Sequence, residues 1–240
     1  MSPPFTRAEY DLRLARVRRS MDERGLDALL VGDPSNQNWL TGFDAWSFYV
    51  PQVMLVRHDG APIWMGRMMD AGAARLTTYL EDDCIRPYPE DVVQRAGVHP
   101  MEVVGGHLAD LGLDGGRIGY ESDTYYFSPK ALASVQRALP GAEWIDADLL
   151  VNWCRTVKTE AEIETMRLAA RLVEGAMRAA YDTIAPGVRQ CDLVGAVLAE
   201  QIGGNAEFGG DLTALSPLVL AGEAAMTAHP MWTDEVFEVG

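Results

Sequence analysis

The segment Arg155-Thr156-Val157-Lys158-Thr159-Glu160-Ala161-Glu162-Ile163 separates two parts of the chain that differ in pattern. Thr159 and Glu162, three residues apart, predict a capping box at the first turn of a helix. After them, apolar residues recur at helical spacing and predict one long amphipathic helix, through Ile163, Met166, Ala170, Val173, Met177 and Tyr181. We therefore predict two domains, over residues 1–153 and 154–240.

Short apolar segments alternate with helical patterns before this boundary. The sequence predicts strands at 27–31, 53–57, 62–65, 117–121 and 143–146. Asp59-Gly60 lies between the second and third of these strands and predicts the turn of a hairpin, whose strands are antiparallel. The other strands alternate with helices, which is the pattern of a sheet covered by helices. The pattern therefore predicts an α/β fold, a three-layer domain built around a mixed sheet.

The region after the boundary carries fewer strand signals. Pro186-Gly187 ends the long helix, and a shorter helix is predicted from about residue 191 to residue 202. Residues 215–220 are mostly apolar and predict one strand.

The chain is acidic, with a net charge of −15 and a pI near 4.6. Such a charge argues against nucleic acid and anionic membranes as partners. Cys84, Cys154 and Cys191 are far apart, which predicts free thiols in a reducing compartment rather than a disulfide framework or a metal cluster. The N-terminus lacks the apolar core of a signal peptide, and no apolar run approaches the length of a membrane span. We expect a cytoplasmic protein.

Two segments resemble one superfamily of hydrolases. Residues 155–163 are similar to the R-x-x-K-s-x-x-E-I junction of the creatinase/aminopeptidase P superfamily, the pita-bread hydrolases. Ala228-His229-Pro230-Met231-Trp232 resembles the first catalytic-site segment of that superfamily. Within it, the chain is most similar to the ectoine hydrolases, through residues 30–49 and 148–153, Pro62-Ile63-Trp64, Tyr125-Tyr126-Phe127-Ser128 and Gly209-Gly210-Asp211.

The resemblance implies a creatinase-type N-terminal domain over 1–153 and the first part of an α+β pita-bread domain over 154–240. The remaining sheet, and in metal-dependent relatives the metal-binding carboxylates, would lie beyond Gly240, so we expect an incomplete chain. The implied activity is hydrolysis of a C–N bond that opens the cyclic amidine ring of ectoine, in a homodimer without a metal or another cofactor. Two alternatives stay open: a metal-dependent Xaa-Pro aminopeptidase or dipeptidase, and a non-catalytic truncated dimerisation module.

His229 is the candidate catalytic residue. Opening an amidine ring requires water to attack the amidine carbon and a proton to reach the departing nitrogen, and an imidazole performs both transfers near neutral pH. In creatinase-like relatives the matching histidine does this acid–base work without a metal, whereas a structural or surface histidine is the alternative. Asp211 is a candidate substrate-binding residue that pairs with the cationic amidine.

Trp46, Phe48 and Tyr49 are the other candidate substrate-binding residues. They precede the predicted hairpin, in a connection that in the superfamily reaches the active site of the partner subunit. Aromatic rings stack on a flat amidinium and exclude water from it, while packing in the domain core or the dimer interface is the alternative. Arg67 and Arg155 are equal candidates for a bidentate contact with the substrate carboxylate.

Overall fold

The computed structural model describes residues 3–213 and 215–239. The chain forms two compact units, Met1–Val157 and Lys158–Gly240. None of the helices within the described residues is both long and apolar enough to cross a membrane.

The described part of the first unit is built from helices and strands in alternation. Its helices are α1 (Arg7–Arg24), α2 (Pro34–Thr41), α3 (Ala71–Thr77), α4 (Pro100–Asp110), α5 (Pro129–Ala138) and α6 (Leu150–Cys154). Its strands are β1 (Ala28–Val31), β2 (Val53–Arg57), β3 (Ile63–Met65), β4 (Arg117–Tyr120) and β5 (Glu143–Asp146).

The five strands form one sheet in the order β3-β2-β1-β4-β5. The central strand β1 pairs antiparallel with β2 and parallel with β4. At the edges, β2 pairs antiparallel with β3, as expected of a hairpin, and β4 pairs parallel with β5. The prediction of a mixed sheet is therefore confirmed.

Helices cover both faces of this sheet. Successive residues of a strand point to opposite sides, so one strand contributes to the core on each face. Leu29 and Val31 of β1 belong to one apolar core with α1, α2, α3 and α6. Ala28 and Leu30 belong to a second core with α4 and α5. All four residues of β1 are 0–1% exposed. The prediction of a three-layer α/β domain is confirmed.

The second unit begins with two packed helices, α7 (Glu160–Thr183) and α8 (Gln190–Gly203). Thr159 caps α7 in the predicted capping box, since its hydroxyl accepts from the Glu162 amide and the Glu162 carboxylate accepts from the Thr159 amide at 2.8 Å. The two helices share a small apolar core with the C-terminal segment, formed by Ala176, Leu193, Val197 and Phe237.

Backbone hydrogen bonds attach the C-terminal segment to the connection between α7 and α8. The amide of Gly187 donates to the carbonyl of Phe237 at 2.9 Å, and the amide of Phe237 donates to the carbonyl of Val188 at 2.8 Å. Arg189 and Val236 form an isolated antiparallel bridge. These contacts hold the Phe237 ring against α8.

The prediction of a strand over 215–220 is wrong, since the structure gives these residues no strand. Leu215 is 71% exposed and Leu218 is 37% exposed. A strand needs a hydrogen-bonded partner and a buried face. In the described part of the second unit, β-type backbone pairing is limited to the isolated bridge of Arg189 with Val236. Residues 215–220 therefore have no sheet to join.

The two units should differ in local stability. The two large apolar cores on either side of the sheet consist of residues of the first unit, whereas the core of the second unit is small. We expect amides of β1 and β4 to exchange on the order of 100-fold more slowly than amides of α8, since sub-global opening costs less where few apolar contacts are lost. Hydrogen exchange of the intact chain measures this difference, and a polypeptide of residues 1–157 is the control. Equal protection of the two units in a monomer would contradict the prediction.

Candidate active site

Trp46, Phe48 and Tyr49 lie in the connection between α2 and β2, and their rings contact one another. The ring centroids of Trp46 and Phe48 are 6.0 Å apart, and those of Phe48 and Tyr49 are 5.3 Å apart. Tyr126, from the connection after β4, contacts Trp46 edge-on at 6.4 Å. We name these four residues the aromatic cluster. Trp46, Phe48 and Tyr49 are 51%, 77% and 49% exposed, so ring surface remains open to solvent.

Buried polar contacts fix the base of this connection. The side-chain amide of Gln37, on α2, donates to the carbonyl of Gln52 at 2.8 Å. The Gln52 side chain accepts from the amide of Ser47 at 3.0 Å and donates to the carboxylate of Asp70 at 2.8 Å. The exposed rings are therefore carried on a backbone that the domain core holds in place.

Gly42 determines where α2 ends and the connection begins. Its φ of 82° is left-handed, and a Cβ at this position would lie 2.9 Å from the hydroxyl of Tyr10. A side chain is therefore excluded both by the backbone conformation and by the space available.

Arg67 lies beside the aromatic cluster. Its Nη1 donates to the hydroxyl of Tyr49 at 2.7 Å, and its Nε donates to the carboxylate of Glu90 at 2.6 Å. The hydrogen bond from Arg67 holds the pKa of Glu90 below its ordinary value, and the amide of Met69 adds to this effect. Arg67 thus places a guanidinium, paired with Glu90, at the edge of the ring surface.

The two candidate arginines occupy different environments. Arg67 contacts Tyr49, whereas Arg155 donates from Nη1 to the side-chain oxygen of Asn36 at 2.6 Å. Asn36 is fully buried. Only the first of these contacts joins an arginine to a predicted substrate-binding residue.

His229 lies in the second unit, in the segment between a short 3₁₀ turn at Gly222–Met226 and the bridge at Val236. Its side chain is exposed, and its φ is 71°. A left-handed conformation is uncommon for a residue other than glycine and costs on the order of 1 kcal/mol. Packing in the core therefore does not account for His229.

Asp211 is also exposed, and it follows a glycine that packs against the end of α8. A Cβ on Gly210 would overlap the carbonyl oxygen of Gln201, and the amide of Gly210 donates to the carbonyl of Ile202 at 3.1 Å. The carboxylate of Asp211 accepts from the amide of Leu212 at 2.6 Å. The close approach of Gly210 fixes the backbone from which Asp211 projects.

The structure thus brings three predicted residues, Trp46, Phe48 and Tyr49, into one cluster in the first unit, and places His229 and Asp211 in the second unit. Sequence reasoning did not assign Tyr126 to the cluster. The pair Tyr125-Tyr126 ahead of Ser128, which caps α5, was the available signal, but the sequence does not show which tyrosine turns toward Trp46.

The second unit also contains a polar cleft of about 310 Å³. Its lining residues include two arginines and two glutamates, namely Arg171, Arg178, Glu174 and Glu200. Neither His229 nor Asp211 lines it. Among residues 3–213 and 215–239, His, Cys, Asp and Glu side chains form no group of three or more arranged to hold a metal ion.

Known proteins share this architecture. Residues 13–157 match the creatinase/prolidase N-terminal domain family. The chain is 43% identical over 246 residues to an ectoine hydrolase of Halomonas elongata, covering 100% of this chain and 62% of that protein. It is 41% identical over 232 residues to an uncharacterised hydrolase/peptidase of Sinorhizobium fredii, covering 96% of this chain and 59% of that protein.

The solved structure of an Xaa-Pro dipeptidase from Bacillus anthracis is similar with a TM-score of 0.72, covering 96% of this chain and 58% of that one. Its sequence identity of 19% supports a shared fold and nothing finer. The chain spans 62% and 59% of the length of the two curated relatives, both of which are hydrolases by name. Through the domain that fills most of its length, the chain belongs to the creatinase/prolidase N-terminal domain family.

Proposed function

We propose that this chain is part of a hydrolase that opens the cyclic amidine ring of ectoine. The observation that carries the proposal is the 43% identity to an ectoine hydrolase across the whole of this chain. The matched region covers both units, so it spans the segments that carry the aromatic cluster and His229.

The substrate presents two features that a site has to recognise. Its amidine group is flat and cationic, and its carboxylate is anionic. The exposed faces of Trp46 and Phe48 suit the amidine, because a ring face attracts a planar cation and displaces water from it. Arg67 suits the carboxylate, because its guanidinium lies at the edge of the same surface through its contact with Tyr49.

His229 is the proposed acid–base residue. Its imidazole removes a proton from water as the oxygen bonds to the amidine carbon, and returns a proton to the nitrogen as the C–N bond breaks. The left-handed backbone at His229 supports this role, since strained positions gather at functional sites. Asp211 is proposed to face the amidinium cation, where a carboxylate offsets the positive charge of the bound substrate.

The proposed site takes residues from two subunits of a homodimer. The aromatic cluster belongs to the first unit, and His229 belongs to the second. We infer that the rings of one subunit cover the substrate bound at His229 of its partner, which would exclude water from the reacting centre.

Replacing His229 should separate catalysis from binding. In a form of the protein extended to the length of its ectoine hydrolase relative, His229→Ala should lower kcat by on the order of 100- to 10,000-fold, the usual contribution of general acid–base catalysis. KM should change far less, and ectoine turnover by steady-state kinetics measures both. His58→Gln, in the β2–β3 turn, is the control and should retain kcat. A raised KM with unchanged kcat would make His229 a binding residue.

A mixing experiment tests the shared site. The double variant Trp46→Ala/Phe48→Ala and the variant His229→Ala, both extended, should each be inactive, yet an equal mixture should recover activity. Random subunit exchange gives half mixed dimers, each with one of its two sites intact, so the mixture should reach about a quarter of wild-type activity.

Tyr125→Ala is the matched control, because this tyrosine is fully exposed and lies next to Tyr126, and it should keep wild-type turnover alone. A mixture that stays inactive despite verified subunit exchange would contradict the shared site. Metal-dependent cleavage of Xaa-Pro dipeptides without ectoine turnover would overturn the proposed substrate itself.

A further inference from the structure

Glu121 is a buried acid at the carboxyl end of a sheet strand in the first unit. It directly follows β4 and is 1% exposed. Because β4 runs parallel to β1, with Tyr120 paired to Leu30, the carboxyl ends of these two strands lie side by side. Glu121 therefore meets the residues that follow β1.

The Glu121 carboxylate is the acceptor in its hydrogen bonds with the described residues. Its Oε2 accepts from the amides of Gly32 and Asp33 at 3.1 and 3.3 Å. Its Oε1 accepts from the side-chain nitrogen of Asn36 at 2.6 Å. This arrangement fits the ionised carboxylate, which only accepts hydrogen bonds.

Asn36 connects Glu121 to Arg155. Its Nδ2 donates to Glu121 and also to the side-chain oxygen of Asn152 at 2.8 Å, while its Oδ1 accepts from Arg155 at 2.6 Å. A guanidinium only donates and a carboxylate only accepts, so the two charged groups together determine which way the buried amide points.

We propose that Glu121, Asn36 and Arg155 form a proton-operated anchor, in which ionised Glu121 holds the Asn36 amide in the orientation that binds Arg155, and protonated Glu121 releases it. We name these three residues the anchor.

Protonation reverses the hydrogen-bonding polarity at one end of the anchor. A carboxylic acid has an O–H group to donate, but the groups that face Glu121 are the N–H donors of Gly32, Asp33 and Asn36, which cannot accept it. The Asn36 amide resolves this conflict by turning over, which presents its oxygen to the acid. The same rotation points its NH₂ group at the guanidinium, and two donors that face each other in this half-buried contact repel.

The surroundings of Glu121 make its protonation relevant near neutral pH. Burial raises the pKa of Glu121 to about 7, against the hydrogen bonds from Asp33, Asn36 and Gly32, which lower it. The carboxylate of Asp33, in the β1–α2 connection, adds to the rise. Arg155, after α6, acts on Glu121 through Asn36, and α6 itself presents the neutral Asn152. The anchor is therefore engaged above pH 7 and released below it.

The anchor acts on the end of the first unit. The first unit ends at Val157, two residues after Arg155. The carbonyl of Val157 accepts a hydrogen bond from Arg16 at 3.0 Å. The contact of Arg155 with Asn36 is thus one half-buried attachment of this segment, and the contact with Arg16 is an exposed one. Release of Arg155 should loosen the chain where it leaves the first unit.

A pH titration by NMR tests the anchor in the 240-residue chain. The Glu121 carboxyl carbon, the Asn36 side-chain NH₂ and the Arg155 Nε should titrate together with a midpoint near 7. Backbone amides of residues 155–157 should exchange faster at pH 6 than at pH 8 after correction for the intrinsic rate. A Glu121 midpoint near its ordinary value, or an Arg155 signal that does not follow Glu121, would overturn the proposal.

Glu121→Gln provides a second test, because glutamine carries one donor and one acceptor, as the protonated acid does. In this variant the Arg155 signal should be independent of pH and lie at its wild-type low-pH position. Glu102→Gln, which alters a more exposed glutamate paired with Arg137 on the surface, is the control and should leave the Arg155 titration unchanged. An Arg155 signal fixed at its high-pH position in Glu121→Gln would contradict the anchor, and the wild-type titration decides the matter if this variant does not fold.

Discussion

The burial of β1 on both faces is the constraint on which the first unit depends. Its four residues are all apolar, as expected of a central strand with helices on either side. Leu29 and Val31 serve one core while Ala28 and Leu30 serve the other, so the strand joins the two apolar layers. Its antiparallel pairing with β2 and parallel pairing with β4 then set the positions of the remaining strands.

The features to which we assign a function in the first unit start from the carboxyl end of this strand. Asp33 caps α2 by accepting from the amide of Asn36 at 3.0 Å, and α2 ends at Gly42 where the connection with the aromatic cluster begins. Gln37 donates both to the carbonyl of Val31 at the end of β1 and to Gln52 beyond the rings. The rings therefore sit on a rigid base, which favours a precise stacking surface. The same strand end supplies the amides that meet Glu121.

Local signals in the sequence accounted for the layers, the hairpin and the cap of α7, because apolar period, Asp-Gly turns and a Thr-x-x-Glu spacing act over a few residues. The strand predicted at 215–220 failed because a run of apolar residues does not reveal whether a partner strand exists. The contact of Tyr126 with Trp46 and the contact of Glu121 with Asn36 escaped prediction for a related reason. Both join residues that are distant in sequence, and the parallel pairing of β1 with β4 helps to bring their segments together.

We propose that substrate binds between the aromatic cluster of one subunit and His229 of another. A crystal structure of the extended chain with ectoine bound tests this most directly, using His229→Ala to prevent turnover. We expect a dimer with the amidine ring against Trp46 and Phe48 of one protomer. Position 229 of the partner subunit should lie close enough for a histidine there to reach the reacting atoms at about 3 Å. Ectoine bound away from the aromatic cluster, or between a cluster and a position 229 of the same protomer, would contradict it.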